Sequence, residues 1–152
     1  MAVVVFRRAT SDDLPAIVAL LADDPIGSGR ESVGVHPDPC YGAAFAAIER
    51  DPNQLLAVAE IAGKVIGCLQ LSFIPGLTRR GMWRGQIEGV RIAGAERGTG
   101  IGRAMLLWAI EECRKRGCGL VQLTSDKRRA EAHRFYQALG FRATHEGYKL
   151  VL

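Results

Sequence analysis

The sequence predicts an α/β chain in which a mixed sheet carries helices on both faces, and three observations predict it. Residues 82–92 alternate in the manner of a long strand, whose side chains repeat every two residues. Residues 100–116 are apolar around most of a helical circumference, through Ile101, Met105, Leu106, Trp108, Ala109 and Ile110, as in a largely buried helix. The order of elements, β-α-α-β-β-β-α-β-α-β, fits a mixed sheet covered on both sides.

Each element has its own signal. Residues 2–8 read as the first strand. Thr10 or Ser11 caps a helix running to Leu21, with Asp12 and Asp13 favouring its positive end. Residues 23–39 hold Pro25, Gly27, Gly29, Gly34, Pro37 and Pro39, a loop long enough to suggest a function. A second helix covers Tyr41–Arg50 and stops at Asp51-Pro52-Asn53. The apolar runs 55–61 and 64–73 are joined by Ala62-Gly63 as a tight hairpin, and Pro75-Gly76 then breaks the chain. Strand 82–92 places Gln86, Glu88, Val90 and Ile92 on one face. Gly117 ends the long helix. Leu120–Thr124 follows as a short buried strand, Arg128–Leu139 as a helix closed by Gly140, and 142–151 as a last strand.

A length of 152 residues suggests one domain, 1–152, with room for a core that needs no staples. The 48% hydrophobic content argues against disorder. No apolar run reaches membrane-spanning length and residues 2–6 are too short for a signal peptide, so the expected location is cytoplasmic. Cys40, Cys68, Cys113 and Cys118 form no Cys-x-x-Cys pair and have no histidine at metal spacing, so they read as reduced and structural, with no metal. The net charge of +4 comes from arginines gathered near a glycine-rich turn and before the last helix. A ligand with several negative charges accounts for them. Aromatic residues are only 7% and no basic stripe interleaves with them, which argues against nucleic acid.

That turn is Arg97-Gly98-Thr99-Gly100-Ile101-Gly102-Arg103, between a strand and the apolar helix. Glycine lets the backbone approach a ligand closely, and the first amides of a helix lack intrahelical partners. Arginine suits phosphate oxygens. A Walker A loop is excluded because no lysine lies between Lys64 and Lys115. The dinucleotide fingerprint fails at its third glycine, where Arg103 stands.

Arg97-x-x-Gly100-x-Gly102 resembles the pyrophosphate loop of the GNAT superfamily of N-acetyltransferases. The preceding Ile87-Glu88-Gly89-Val90-Arg91-Ile92, the later Ala132-His133-Arg134-Phe135-Tyr136-Gln137-Ala138-Leu139-Gly140-Phe141 and the opening Phe6–Leu14 resemble it too, in order, over nearly the whole chain. The resemblance implies a mostly antiparallel sheet splayed at its fourth strand. It also implies acetyl-CoA as acyl donor. The amides of Gly98, Thr99, Gly100, Ile101, Gly102 and Arg103 would hold the pyrophosphate, with charge from Arg97 and Arg103. The edge Val90, Arg91, Ile92 would pair with the pantetheine arm. Gly89 is a candidate bulge, and the Val90 amide freed there would face the thioester oxygen.

Acyl transfer needs an unprotonated amine, and the resemblance assigns the base to Glu88, directly or through water. The residue alone also reads as a surface glutamate or a partner of Arg84. Tyr136 matches the family's proton donor to the leaving thiolate. Yet Ala132, Phe135, Tyr136 and Leu139 share an apolar face, so a core tyrosine is the other reading. Many relatives carry asparagine where this chain has Arg129. A branch reading Ser-x-x-x-Arg-x-x-Ala-His-x-Phe-Tyr matches Ser125, Arg129, Ala132, His133, Phe135 and Tyr136, which implies that Ser125 and Arg129 reach the cofactor. His133 reads as a helix residue bonding a carbonyl.

The expected activity is transfer of an acetyl group to a primary amine by direct attack, with a small-molecule acceptor favoured. The alternative is an acyl-CoA-binding sensor without turnover. Candidates for the acceptor mouth are the loop Pro25–Cys40, the Ile74–Trp83 connection, Tyr41, Trp83 and the region of Tyr148. Arginines and carboxylates there point to opposite substrates. A homodimer is open, with no interface legible.

Overall fold

The computed structural model describes residues 2–34 and 38–152. β-Branched and apolar runs make the strands β1 (Val4–Arg8), β2 (Gln54–Ile61), β3 (Lys64–Ile74), β4 (Arg84–Ile92) and β5 (Leu120–Leu123). They form one sheet in the order β1-β2-β3-β4-β5, antiparallel except for the parallel pair β4–β5. Ala62 and Gly63, with φ of 49° and 80°, turn β2 into β3 as the Ala-Gly pair predicts.

Helix α1 (Leu14–Ala22) and helix α2 (Pro39–Arg50) cover one face, where Ile17, Leu20 and Phe45 pack on Val58 and Cys68. After a short left-handed turn α3 (Thr78–Gly81), where Arg79, Arg80 and Gly81 take φ of 53°, 62° and 79°, the long helix α4 (Ile101–Lys115) covers the other face. Its Met105, Leu106 and Ala109, all 0% exposed, meet Ala57, Leu69, Leu71 and Ile87. The last helix, α5 (Ala130–Ala138), adds Phe135 and Tyr136 to that cluster. Helices thus lie on both faces, as predicted.

The first helix starts later than its sequence suggests. Thr10 caps a 3-10 turn, Ser11–Asp13, in a capping box, and α1 follows. Asp13 does more than favour the helix end. It accepts the Thr10 amide at 2.7 Å and both terminal nitrogens of Arg7 at 2.8 and 3.0 Å, and Arg7 Nε donates to Glu60 at 2.8 Å. Those bonds, the Arg7 guanidinium first, hold the Asp13 carboxyl below its usual range.

Two sequence expectations are corrected. Residues 142–151 form no strand: the segment is exposed and makes no backbone ladder among the described residues, so an alternating pattern was present without a partner to pair with. The faces of β4 also differ. The β3–β4 register passes from Gln70↔Glu88 to Cys68↔Arg91, so Gly89 and Val90 together oppose Leu69. This bulge shifts the alternation by one. Arg91 joins Gln86 and Glu88 on the α1 side, while Val90 and Ile92 turn to the α4 core beside Ile87. Part of the loop predicted at 23–39, residues 35–37, lies outside the described residues.

Candidate active site

The glycine-rich turn makes the first wall of the site. Gly100 takes φ of 88° as the residue before α4, and Gly98 takes 77°. A Cβ at either would meet nothing within 4 Å, so the backbone there faces open space. The amides of Gly98 to Arg103 donate to no backbone acceptor among the described residues, whereas Ala104 N bonds Gly100 O at 3.0 Å. Free amides at the positive end of a fifteen-residue helix suit an anion. Arg103 is exposed beside them, and Thr99 Oγ1 is tied to Glu96 O at 2.6 Å. Arg97 stands at the root of the turn, donating to Ile92 O and Asp23 O, both at 3.1 Å.

The second wall is the splay of β4. Its outer edge pairs with β5 only from Arg84 to Ile87, which leaves Glu88 to Ile92 without a strand beside them. Gly89 makes the bulge at φ of 61°, a conformation that glycine adopts without strain. Leu21 of α1 lies over it, 3.8 Å from where a Cβ would stand. The peptide oxygens released by the bulge have acquired side-chain donors. Cys68 Sγ lies 3.6 Å from Gly89 O, and Arg91 Nη1 donates to Val90 O at 2.8 Å.

Glu88 ends a directional chain of hydrogen bonds. Gln122 Nε2 donates to Gln86 Oε1 at 2.9 Å, and Gln86 Nε2 donates to Glu88 Oε1 at 2.5 Å. The second carboxylate oxygen has no protein donor among the described residues. Arg84 and Arg91 bracket Glu88 on the same face, and each has a buried Nε without a partner among the described residues. Sequence reading found Glu88 but not the glutamines that orient it. Their signal is the spacing of Gln86 and Glu88 on one face, which marks neighbours without revealing that β5 would bring Gln122 across.

Tyr136 is held at ring distances of 5.4 Å from Phe135 and 6.0 Å from Phe141, both edge-on. Burial raises its pKa, with Arg91 and Arg129 working against the rise, so the hydroxyl keeps its proton at neutral pH. It makes no hydrogen bond to a described residue, so the ring serves the core while the hydroxyl stays free to donate. His133 Nε2 lies 2.9 Å from Asp126 O, the structural role expected. Ser125 is half-buried at the end of β5, with no side-chain bond among the described residues.

Arg129 is not free. Its two terminal nitrogens each donate to an oxygen of Asp24 at 2.7 Å. Asp24 also accepts the Gly27 amide at 2.6 Å and lies 3.7 Å from Arg91 Nη2. Chiefly through the Arg129 bond, its carboxyl is lowered to about 2. Sequence reasoning missed Asp24 because a loop aspartate between α1 and Pro25 carries no periodic or motif signal.

A cavity of about 180 Å³ opens between α1, α2 and the sheet. Leu14, Ile17, Leu21, Tyr41, Phe45 and Leu56 line it, with Gln70 as its polar edge. Gln70 is the cross-strand partner of Glu88, so Glu88 stands one strand away from the cavity's polar edge. Tyr41 lines this cavity, and its hydroxyl accepts the Ser32 amide at 2.9 Å. Trp83 and Tyr148 do not line this cavity.

A cradle of free amides opening onto a splayed strand is an arrangement suited to an anionic ligand lying against the sheet. The chain belongs to the acetyltransferase (GNAT) family, whose model matches residues 14–141. It is 32% identical over 146 residues to an aminoalkylphosphonate N-acetyltransferase of Salmonella typhimurium, covering 95% of this chain and 89% of that protein. It is 36% identical over 90 residues, 59% of each chain, to a glucosamine 6-phosphate N-acetyltransferase of Trypanosoma brucei brucei. A crystal structure described as a transcriptional regulator from Bacillus halodurans C-125 superposes with a TM-score of 0.96 at 47% identity, over 99% of this chain and 100% of that one. An overlap that complete reaches into residues 142–152. The chain is therefore an enzyme of the acyl-CoA-dependent N-acetyltransferase class.

Proposed function

We propose that this protein moves the acetyl group of acetyl-CoA directly onto the primary amine of a small acceptor that carries a phosphate or phosphonate. The observation carrying the reading is Glu88, held by Gln86 on the splayed strand and paired across the sheet with Gln70, the polar edge of the cavity. Acetyl-CoA supplies an activated acetyl thioester. The amides of Gly98 to Arg103 hold its phosphates, with charge from Arg97 and Arg103. Val90, Arg91 and Ile92 offer the open edge along which it lies, and Ser125 and Arg129 flank it.

Glu88 takes the proton of the incoming ammonium on its free oxygen, through water or directly. An alkylammonium with a pKa of about 10 is almost wholly protonated at neutral pH, so attack requires this step. Tyr136 returns a proton to the departing thiolate. Its hydroxyl has no partner among the described residues, and burial keeps it protonated. No cysteine stands in these segments, so no acyl-enzyme is needed.

The anionic acceptor rests on two supports. Arg84 carries a buried Nε without a partner among the described residues, on the face that bears Glu88. The two relatives named above both take their names from acceptors with a phosphonate or phosphate group. The test is titration calorimetry with acetyl-CoA, followed by thiol release across paired amines with and without a phosphate or phosphonate. Turnover on the anionic members is expected, with Arg84→Met raising KM for them alone and Glu88→Gln lowering turnover about 10²–10⁴-fold. Equal use of neutral amines would remove the anionic acceptor. Acetyl-CoA binding without any turnover would leave a sensor.

A further inference from the structure

Cys68 sits on β3 in an apolar cluster with Ile17, Leu20, Phe45 and Val58, and it is 1% exposed. Its thiol nevertheless has a partner there. Sγ lies 3.6 Å from the oxygen of Gly89, the residue that makes the β4 bulge. Burial pushes the thiol up to about 12, with Arg91 pulling the other way, so it keeps the proton that it donates. A cysteine behaves as a small hydrophobe with a weak S–H donor, which suits an apolar cluster that must still hold one backbone oxygen.

That oxygen shares a peptide unit with the amide of Val90. A trans peptide is planar, and its C=O and N–H point in opposite directions. With the oxygen held toward Cys68 on β3, the Val90 N–H is turned away from β3. The ladder gives the same direction independently. Ala93 N bonds Ile66 O of β3 at 2.8 Å, and successive residues of a strand address opposite edges. Arg91 therefore faces β3, while Ile92 and Val90 present their amides to the outer edge, where no strand lies beside residues 88–92. Gly89, at φ of 61° and without a Cβ, gives this peptide little steric resistance to turning. The bond from Cys68 supplies what the glycine lacks. Arg91 Nη1 holds the next peptide in the same manner, through Val90 O at 2.8 Å.

We infer that Cys68 is a positioning residue for acyl transfer: its S–H, bonded to Gly89 O, holds the Gly89–Val90 peptide so that the Val90 N–H meets the thioester oxygen. When the amine nitrogen bonds the carbonyl carbon, the C=O electron pair moves onto that oxygen. An amide already aimed receives the charge without reorganising. The pair returns as the C–S bond breaks, and the departing thiolate takes its proton from Tyr136. The inference rests on the proposed reading that acetyl-CoA lies along this open edge.

The test follows the Val90 amide proton of the isotope-labelled full chain by NMR, with acetyl-CoA and with CoA, which lacks the carbonyl. A downfield shift specific to acetyl-CoA is expected in the wild-type chain. It should persist in Cys68→Ser, which keeps a donor, and vanish in Cys68→Val, which has none. Turnover of Cys68→Val should fall by up to about 10²–10³-fold, the cost of an oxyanion donor, with the Kd for acetyl-CoA unchanged. A shift that survives in Cys68→Val, or that is absent from the wild-type chain, would overturn the inference. Should Cys68→Val fail to fold by circular dichroism, Cys68→Ala reads the same bond. The Val90 shift without turnover on any amine would remove the transfer reaction and keep Cys68 as the group that aims the amide. Turnover without the shift would keep the reaction and remove Cys68 from it.

Discussion

Asp24→Asn removes one charge from a loop and tests what that loop does. The carboxyl is 8% exposed and takes both terminal nitrogens of Arg129 at 2.7 Å. Lowering it from 3.8 to about 2 corresponds to a little over 2 kcal/mol. Arg129 is 26% exposed, so solvent screening reduces the net effect to about 1–2 kcal/mol. For a chain of this length that is a fall in Tm of about 2–8 °C. The sign in pH follows from the depressed folded value. The carboxylate's contribution is complete above the unfolded value and is lost as pH falls through the folded one. Urea unfolding of both proteins should therefore differ fully at pH 7, by about half as much at pH 3, and hardly at all below about pH 2. A difference that stays constant from pH 7 to pH 3 would refute the reasoning, since it would not come from the charge.

Other expectations follow from single contacts. Gly100→Asp sets a side chain at φ of 88° and a negative charge at the amide cradle, so acetyl-CoA affinity by calorimetry should fall at least about 10-fold, the loss of one charged hydrogen bond. Unchanged affinity would place the phosphates elsewhere. Tyr136→Phe removes a hydroxyl without a described partner, so Tm should hold while turnover falls about 10²–10⁴-fold. A large fall in Tm would return Tyr136 to the core alone. Met105→Ala, at a position 0% exposed beneath the sheet, should cost about 2–5 kcal/mol in urea unfolding.

Much of this fold is legible because it is periodic. The α4 helix announces itself through Ile101, Met105, Leu106 and Ala109, and the β2–β3 hairpin through Ala62-Gly63 between two apolar runs. Glu88, Tyr136 and the glycine turn stand out as candidates in the sequence because they fall in segments that resemble the family's motifs. What escapes is whatever depends on one residue of register or on a distant partner. Gly89 is readable as a bulge, but a bulge also shifts the parity of everything after it, which is why Arg91 and not Val90 shares the face of Glu88. Asp24 meets Arg129 across 105 positions, and no local pattern encodes that distance. The 142–152 segment has the alternation of a strand, but alternation does not say whether a neighbour exists.

One turn of chain joins the two halves of the site. Leu21 lines the cavity between α1, α2 and the sheet and lies on the Gly89 bulge. Two and three residues later, Asp23 receives Arg97 from the glycine turn, and Asp24 receives Arg129 and Arg91. A ligand that draws Arg97 or Arg129 toward its phosphates must loosen or reorient Asp23 and Asp24, and the end of α1 moves with them. The cradle and the cavity are then coupled through residues 21–24, and coupling is reciprocal in free energy. Acetyl-CoA should change amide exchange in residues 23–30, and Asp24→Asn should reduce that change while leaving the cradle's own protection on binding in place. If acetyl-CoA protects only residues 98–104 and leaves 23–30 untouched, the loop is a passive wall and the two substrates bind without communicating through it.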